Sequence, residues 1–252
     1  PAFDYEGFSG NTEINYQGVK DMIFRVGGGL AWRPPAMNEL FSRGLHHGAA
    51  AVENGNSGLL KEESISVEAG ASLNKKKLKL NLDVYQKQID QFIYLVPAAQ
   101  PTLTIRGAFP TFNFEQIPAI FRGADLNGKW IISQKVTLEN STSIVRAFHQ
   151  NTKEGLVQIP ADRMENSLIY YLRTAKMKNA VRLKASFENV LKQTRVDPNI
   201  DFAPPPAGYN LIHLSARAKV RLGQQQMTVD FGVNNLLNTS YRDYLNRFRY
   251  FT

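Results

Sequence analysis

The sequence predicts an all-β fold: an antiparallel up-and-down transmembrane β-barrel, present as a partial barrel of about nine strands. Three observations predict it. Apolar and polar residues alternate through each candidate strand, one face of the strands is free of charge, and long and short connections alternate along the chain. Successive side chains of a strand point to opposite faces, so each strand has an oily and a polar face. That pattern fits either a sheet with one wet face or a barrel with a watery lumen.

The clearest unit is a hairpin within residues 64–96. Its first strand alternates from Ile65 to Leu73, and its second alternates from Leu78 to Val84. The segment N-K-K-K between them predicts a tight turn. The polar face carries Glu, Lys, Asn and Asp, which is too polar for the core of a β-sandwich.

The same alternation predicts the other strands, and residues 1–17 are expected to hold a partial strand. Pro118 predicts a distortion near the start of its strand, because proline cannot donate to a ladder. The remaining predicted strands are Met22–Arg33, Phe112–Ile132, Val136–Ile144, Met164–Leu172, Val181–Glu188, Leu214–Leu222 and Thr228–Asn234.

The connections decide between the two environments. Long segments with little periodicity occupy residues 34–63, 97–111, 148–159, 196–208 and 238–252, whereas the short turns are residues 74–77, 133–135, 173–179 and 223–226. A meander with its long loops at one edge and its short turns at the other is the layout of an outer-membrane barrel. The long loops are therefore expected to be extracellular and the short turns periplasmic, with the uncharged face toward lipid.

Composition excludes several classes of function. The 252 residues include no cysteine, which rules out disulfides, thiolate metal sites and cysteine nucleophiles. The net charge of +8 is scattered along strands and turns, and no recognition helix is visible, so nucleic acid is not expected as a partner. No apolar run approaches the roughly 18 residues of a membrane helix. No hydrolase, metalloprotease or nucleotide-binding motif occurs, so an enzyme is not expected.

Four segments also resemble a known family. They are F-R-V-G-G-G-L-A-W-R-P-P-A-M-N-E-L-F-S-R-G, K-Q-I-D-Q-F-I-Y-L, F-R-G-A-D-L-N-G-K-W and V-N-N-L-L-N-T-S-Y-R-D-Y-L. Together they resemble the C-terminal barrel half of TonB-dependent outer-membrane receptors. The most specific parts surround Trp32 and run from Val233 to Tyr241, about 200 residues apart in the order that the family shows.

The resemblance implies a bacterial outer-membrane receptor with a 22-stranded barrel and an N-terminal plug. Such a receptor imports a scarce ligand, energised through TonB. Residues 1–252 are then a single partial β-barrel domain from the C-terminal half of the receptor, without the plug domain and the last strand. The implied partners are outer-membrane lipid, the receptor's own plug domain and, through it, TonB. The implied cargo is a ferric siderophore, haem or another metal complex, and no cofactor is implied.

Two alternatives remain open at this point. A small outer-membrane hydrolase would require a barrel of about ten strands that is complete by itself. A soluble β-rich binding protein would require a second layer that covers the face with Leu78, Leu80 and Leu82.

Cargo contact is expected in the long loops. His46 and His47 lie between Gly44 and Gly48, and neutral imidazole is a common ligand of transition metals and haem iron. Aromatic residues could stack on a siderophore or porphyrin, or could form the girdle at the lipid interface; Phe109, Phe112, Phe248 and Tyr250 share this ambiguity. Solvated loop histidines are the plainer alternative. The candidate ligand-binding residues are Phe41, Arg43, His46, His47, Glu53, His149, Tyr241 and Tyr244, with His46 and His47 as the candidate metal ligands.

Basic residues on the polar faces of two consecutive strands form a second candidate site. If these strands pair, the lumen near the short turns is basic and could receive acidic residues of a plug or draw anionic ligands inward. The alternative is a solvated wall that Glu188 and Asp230 neutralise. The residues of this lumen patch are Arg182, Lys184, Arg217, Lys219 and Arg221.

Overall fold

A computed structural model of the protein describes residues 4–172, 181–197, 199–222 and 224–246, except for the side chains of Arg221 and Leu222. The elements in chain order are β1 (Gly10–Tyr16), β2 (Met22–Arg33), α1 (Met37–Phe41), β3 (Arg43–His46), β4 (Ala51–Asn54), β5 (Glu62–Asn74), β6 (Leu78–Pro97), β7 (Thr102–Thr104), β8 (Gly107–Phe109), β9 (Thr111–Ile131), β10 (Val136–His149), β11 (Arg163–Leu172), β12 (Val181–Val190), β13 (Tyr209–Leu222) and β14 (Gln225–Val233).

Twelve of these strands form one sheet, and its main path is a meander. The order is β1-β2-β5-β6-β9-β10-β11-β12-β13-β14, and each neighbouring pair is antiparallel. Among the described residues β1 and β14 each pair on one side only, so the sheet is a partial barrel that is not closed. The predicted fold class is confirmed, and β1 is the partial strand expected within residues 1–17.

The two faces of the sheet differ as the alternation predicts. One register row crosses seven strands through Leu78, Trp130, Leu138, Leu168, Ala185, Leu214 and Val233. The row one residue further along crosses six strands through Lys79, Lys129, Glu139, Ser167, Ser186 and His213. A shift of one residue therefore exchanges the apolar face for the polar one.

Exposure shows which face is convex. Trp130 is 53% exposed and Leu168 is 49% exposed, whereas the hydroxyl residues Ser167 and Ser186 are only 4% and 6% exposed. Polar residues more buried than apolar ones indicate a sheet that curves toward its polar side. The polar face is therefore concave and the apolar face convex. No described residue forms a second layer over the convex face, so the soluble-protein alternative lacks the cover that it requires.

The predicted sorting of connections is confirmed for the part of the chain that the structure describes. Residues 75–77 and 132–135 link strands by short turns, whereas residues 98–110, 150–162 and 191–208 form long connections. The predicted turn at residues 173–179 and the glycine at 223 lie outside the described residues. The helix found in the described chain, α1, has five residues, and none there is long and apolar enough to cross a membrane.

The segment at residues 34–63 departs from the prediction of little periodic structure. It contains the one-turn helix α1 and the hairpin β3–β4, and β4 runs parallel to β9, with Val52 opposite Thr111. Strands of four residues are too short for alternation to reveal them. The pairing of β4 depends instead on residues 111–113 at the start of β9, which are distant in the sequence.

A β-bulge lies opposite Pro118. Ile89 pairs with Ala119 and Phe92 pairs with Ile117, so Asp90 and Gln91 together oppose the proline. Gln91 has φ of 58°. The predicted distortion is therefore present, but the extra residue belongs to β6, because the proline lacks the N–H that regular pairing would use.

The apolar clusters lie at the long-loop end and not within the sheet wall. Leu40 and Leu59 pack against Ile93 and Phe114, and a separate cluster joins Ala119, Ala147 and Leu156. A single curved sheet has no second layer to pack on, so the apolar clusters among the described residues form where the connections fold back. This places an ordered assembly of loops over one end of the sheet.

Candidate functional site

The β3–β4 hairpin carries the candidate metal ligands. His46 ends β3, and His47 begins the turn that leads to β4. The His46 side chain is 57% exposed, and its Nδ1 lies 4.0 Å from Oε1 of Glu53, whose side chain is only 7% exposed. His47 is exposed, and its carbonyl accepts a bond from the Ala50 N–H at 3.3 Å. Among the described residues no group of three His, Cys, Asp or Glu side chains is placed to hold a metal ion.

Phe41 and Arg43 flank the base of the same hairpin. Phe41 is the last residue of α1 and Arg43 is the first of β3, and both are exposed. The two residues therefore lie on the same loop as His46.

The other predicted loop residues have structural contacts. His149 lies at the end of β10, and its Nδ1 accepts bonds from the N–H groups of Asn151 and Thr152 at 3.2 and 3.4 Å. The Tyr241 ring packs on Tyr209 with centroids 4.4 Å apart. Tyr244 is 4% exposed, and its hydroxyl accepts a bond from the Gln158 N–H at 3.3 Å. Burial raises the pKa of the Tyr244 phenol.

Further aromatic candidates differ in position. Phe112 is buried against Ala49 and Ala51, and its ring meets Phe202 edge-on at 5.8 Å. Phe248 and Tyr250 lie outside the described residues.

Charged side chains join the long connections to one another. Asp162 accepts bonds from Arg146 at 2.5 and 2.8 Å and from Arg195 at 3.1 Å. Asp243 accepts a bond from Arg163 at 2.6 Å and another from the Tyr209 hydroxyl at 2.7 Å. The connections after β10 and β12 are thereby linked to each other, and the connection after β14 is bonded to the first residues of β11 and β13 at the same end of the sheet.

The lumen patch is brought together but is largely ion-paired. Arg182 lies opposite Arg217 on paired strands. Lys184 lies 2.9 Å from Glu165, Arg182 lies 3.8 Å from Glu139, and Arg217 lies 2.5 Å from Asp230. Asp230 therefore neutralises part of the patch, as the alternative interpretation expects.

Glu188, the other acidic residue of that interpretation, contacts Arg163 and His213 at 3.4 and 3.3 Å. Lys219 lies opposite Thr228 in the register. The Arg221 side chain lies outside the described residues.

A polar hollow of about 440 Å³ occupies the concave face. Two of its lysines, Lys79 and Lys129, are not among the residues predicted from sequence; they lie opposite each other on β6 and β9. The sequence feature that could have identified them is that both lysines occupy polar-face positions on consecutive wall strands. The residues with concave-face side chains that line the hollow are Lys79, Asn81, Asn127, Lys129, Glu139, Ser141, Glu165, Ser167 and Lys184.

The V-N-N-L-L-N-T-S-Y segment forms a compact turn after β14. The Asn235 side chain donates to the Thr239 carbonyl at 2.9 Å and accepts from the Thr239 N–H at 2.8 Å. Asn235 and Asn238 have φ of 51° and 49°, a conformation that asparagine tolerates better than most residues. The spacing of the asparagines is thus explained by the turn.

Comparison with known proteins identifies the family. A family model described as TonB dependent receptor-like, beta-barrel matches residues 1–236. The chain belongs to this family of TonB-dependent receptor barrels. The family consists of transport receptors and not of enzymes. No curated protein matches the chain.

Solved TonB-dependent receptors share the fold. The copper transporter OprC superposes with a TM-score of 0.76 at 20% identity, over 94% of this chain and 34% of OprC. A mutant of the ferric enterobactin receptor PfeA from Pseudomonas aeruginosa gives a TM-score of 0.65 at 15% identity, over 92% of this chain and 35% of PfeA. BauA, the ferric preacinetobactin receptor from Acinetobacter baumannii, gives 0.59 at 14% identity, over 91% and 32%. The chain spans about a third of the length of these receptors.

Proposed function

We propose that this chain is part of a bacterial outer-membrane receptor that imports a scarce ligand, energised through TonB. In this proposal residues 1–252 are one partial β-barrel domain from the C-terminal half of the receptor. The observation that carries it is the sidedness of the sheet: an uncovered apolar convex face suits lipid, and a concave polar face suits a hydrated lumen. The family match and the linked loops at one end support the same conclusion.

The proposed cargo is a metal complex, such as a ferric siderophore, haem or a copper complex. The similar receptors are named for copper, ferric enterobactin and ferric preacinetobactin. His46 and Glu53 offer two donors, which are too few to enclose a bare ion but enough to complete the coordination of a metal that brings its own ligands. Phe41 and Arg43 flank these donors on the same loop.

The basic positions of the concave face have a second proposed role. Lys79, Lys129 and the lumen patch face the space in which a plug would sit, so acidic plug residues or an anionic cargo would meet positive charge there. The ion pairs of Lys184 and Arg217 reduce this charge without removing it.

Growth and uptake test the proposal. A strain that lacks the whole receptor should fail to grow on one ferric siderophore, haem or copper complex as sole metal source, and the gene with an intact TonB should restore uptake. The protein should fractionate with the outer membrane. Equal uptake of every metal complex with and without the receptor would contradict the proposal.

The histidines are tested in the same strain. His46→Ala/His47→Ala should weaken cargo binding by about tenfold, because both imidazole donors are lost. A matched control is Lys75→Ala/Lys76→Ala in the short turn at the opposite end. An unchanged affinity would leave the histidines as solvated loop residues.

A further inference from the structure

Arg33 binds two carboxylates at once where β2 ends. Its Nε donates to Glu62 at 2.5 Å, and its two terminal nitrogens donate to the two oxygens of Glu39 at 2.8 and 3.0 Å. The side chains of Glu39 and Glu62 are only 13% and 10% exposed. Ion pairs whose carboxylates are largely shielded from solvent make strong, directional hydrogen bonds.

Each carboxylate also holds a backbone N–H. Glu62 accepts the Ile93 N–H at 2.5 Å, and Glu39 accepts the Ala36 N–H at 2.6 Å. Ile93 lies beyond the point where β5 begins, so no strand residue is available there to accept its N–H. The Glu62 carboxylate therefore replaces a missing strand partner.

These bonds close a long loop at both ends. We name residues 34–61 the arm; Arg33 precedes it and Glu62 follows it. The guanidinium of Arg33 joins the end of β2, the start of α1, the start of β5 and, through Glu62, the part of β6 above the bulge. The arm is thereby fixed where it leaves the sheet and where it returns.

The anchoring continues to the base of the β3–β4 hairpin. The Glu39 carbonyl accepts the Asn56 N–H at 2.8 Å, and the Ser42 carbonyl accepts the Gly55 N–H at 2.7 Å. A Cβ on Gly55 would lie 2.7 Å from backbone atoms of the segment 40–42, so the two sides of the hairpin base are in close contact. Leu40 and Leu59 pack beneath it on Ile93 and Phe114.

We infer that Arg33 is a positioning residue that holds the arm, and with it His46 and Glu53, in one place on the extracellular face. Arg33 itself contacts neither of these two residues. The effect on cargo rests on the function proposed above, whereas the effect on the arm does not. The inference assigns a physical role to the segment W-R-P-P-A-M-N-E-L-F.

Lysine cannot replace this arginine. A guanidinium presents a planar fork that serves Glu39 with two bonds and Glu62 with a third, whereas an ammonium is a compact charge on a flexible stem. Arg33→Lys keeps the charge and removes the fork. It therefore separates geometry from electrostatics.

Hydrogen exchange of the whole receptor in its membrane tests the inference without any cargo. Arg33→Lys should speed exchange in residues 34–61 by about tenfold or more, because opening the arm no longer breaks the three bonds. Exchange in β10 and β11 should not change, which shows that the barrel is folded. The matched control is Arg25→Lys, whose arginine pairs with Asp83 at 2.5 Å on the sheet wall and should leave the arm unaffected. Glu62→Gln, which preserves shape, is a second test and should act in the same direction.

Cargo affinity then completes a mutant cycle. Arg33→Lys should weaken binding by about tenfold in the wild-type background and add little to His46→Ala/His47→Ala, since both changes remove the same contact. Unchanged exchange of the arm in both Arg33→Lys and Glu62→Gln overturns the inference, and so does an additive affinity loss. If the wild-type receptor binds no metal complex, the proposed function fails, and the exchange result still decides whether Arg33 holds the arm.

Discussion

The convex and concave faces of the sheet carry side chains of the same strands, offset by one residue. On the convex face Leu82 and Val84 are 44% and 43% exposed and make no polar contact with a neighbouring strand. On the concave face Lys129 contacts Glu139 at 3.0 Å, and the hydroxyls of Ser167 and Ser186 lie 2.9 Å apart. The convex face thus depends on what surrounds the protein, whereas the concave face makes directional bonds within itself. Substitutions on the two faces should therefore destabilise the protein for different reasons.

An exception on the convex face supports this contrast. Asn140 and Asn166 share that face with Leu138 and Leu168, and the Asn140 amide donates to the Asn166 side-chain oxygen at 2.9 Å. A polar group toward lipid requires a partner within the protein, because the surroundings offer none. The two asparagines satisfy that requirement by facing each other in the register.

The largest difference is expected from one charge placed on either face. Leu82→Arg should destabilise the assembled receptor by about 2–4 kcal/mol, since arginine on the lipid face of a barrel costs this much near the bilayer centre. Asn81→Arg adds the same side chain next to it, into the polar hollow, and should cost far less. The measurement is the free energy of unfolding of the receptor in lipid vesicles with urea. Equal costs for the two variants would contradict the assignment of faces.

A smaller effect is expected from close packing on the concave face. Gly123 lies opposite Tyr85, and a Cβ at this position would overlap the Tyr85 ring. Gly123→Ala should therefore cost about 1–3 kcal/mol of unfolding free energy, as overpacking does in cores.

Gly232→Ala is the matched control for this substitution. A Cβ at that position meets nothing nearer than 3.7 Å. A cost at Gly232 as large as at Gly123 would show that glycine flexibility, and not the tyrosine, sets the effect.

The smallest effect is expected at the loop end, where the two faces end. Burial raises the pKa of Tyr244 above its ordinary value near 10. A raised pKa means that the folded state favours the neutral phenol. The stability that the neutral Tyr244 side chain contributes to the fold is therefore complete below pH 10 and is lost as pH rises through the raised pKa. Protease cleavage within residues 150–162 should therefore increase in strong alkali.

Tyr244→Phe tests the source of that alkaline change. The variant loses the bond from the Gln158 N–H, at a cost of about 1 kcal/mol or less at neutral pH, and keeps the buried ring. Its cleavage at residues 150–162 should no longer increase in the same way above pH 10. An alkaline increase identical to that of the wild type would assign the effect to another group.

The strands of the wall could be predicted from sequence because an apolar convex face and a polar concave face impose a strict period of two. The hairpin of β5 and β6 and the strands β11 and β12 lie within one or two residues of their predicted bounds or extend slightly beyond them. β10 and β13 extend further than predicted, to His149 and back to Tyr209, because connections fold back over this end, Ala147 and Leu211 are buried there, and the alternation ends. Alternation of apolar and polar residues therefore shows that the two faces of a strand differ in environment, but it does not show where the strand ends.

The candidate site was only partly predictable. The loop histidines, Glu53, the basic strands and Asp230 could be located from residue type. The pairing of Lys184 with Glu165 could not, since it depends on how the strands are aligned. Arg33 stood in a segment that was recognised only by its resemblance. Its contact with Glu39 joins residues six apart, and its contact with Glu62 joins the two ends of a loop. Such pairs become visible only when the path of the chain is known.

The bulge at Asp90 and Gln91 divides the β6–β9 ladder into two registers. Below it, Leu78 to Ile89 pair with Trp130 to Ala119, and above it, Phe92 to Pro97 pair with Ile117 to Phe112. An inserted or deleted residue above the bulge changes which side chains point inward and outward in the upper hairpin alone. The strand pairing below keeps its register, because the ladder is interrupted at Pro118. The hairpin above the bulge and the wall below it can therefore change length independently. A sheet of this design can acquire a new hairpin above the bulge while the wall beneath it keeps its sequence.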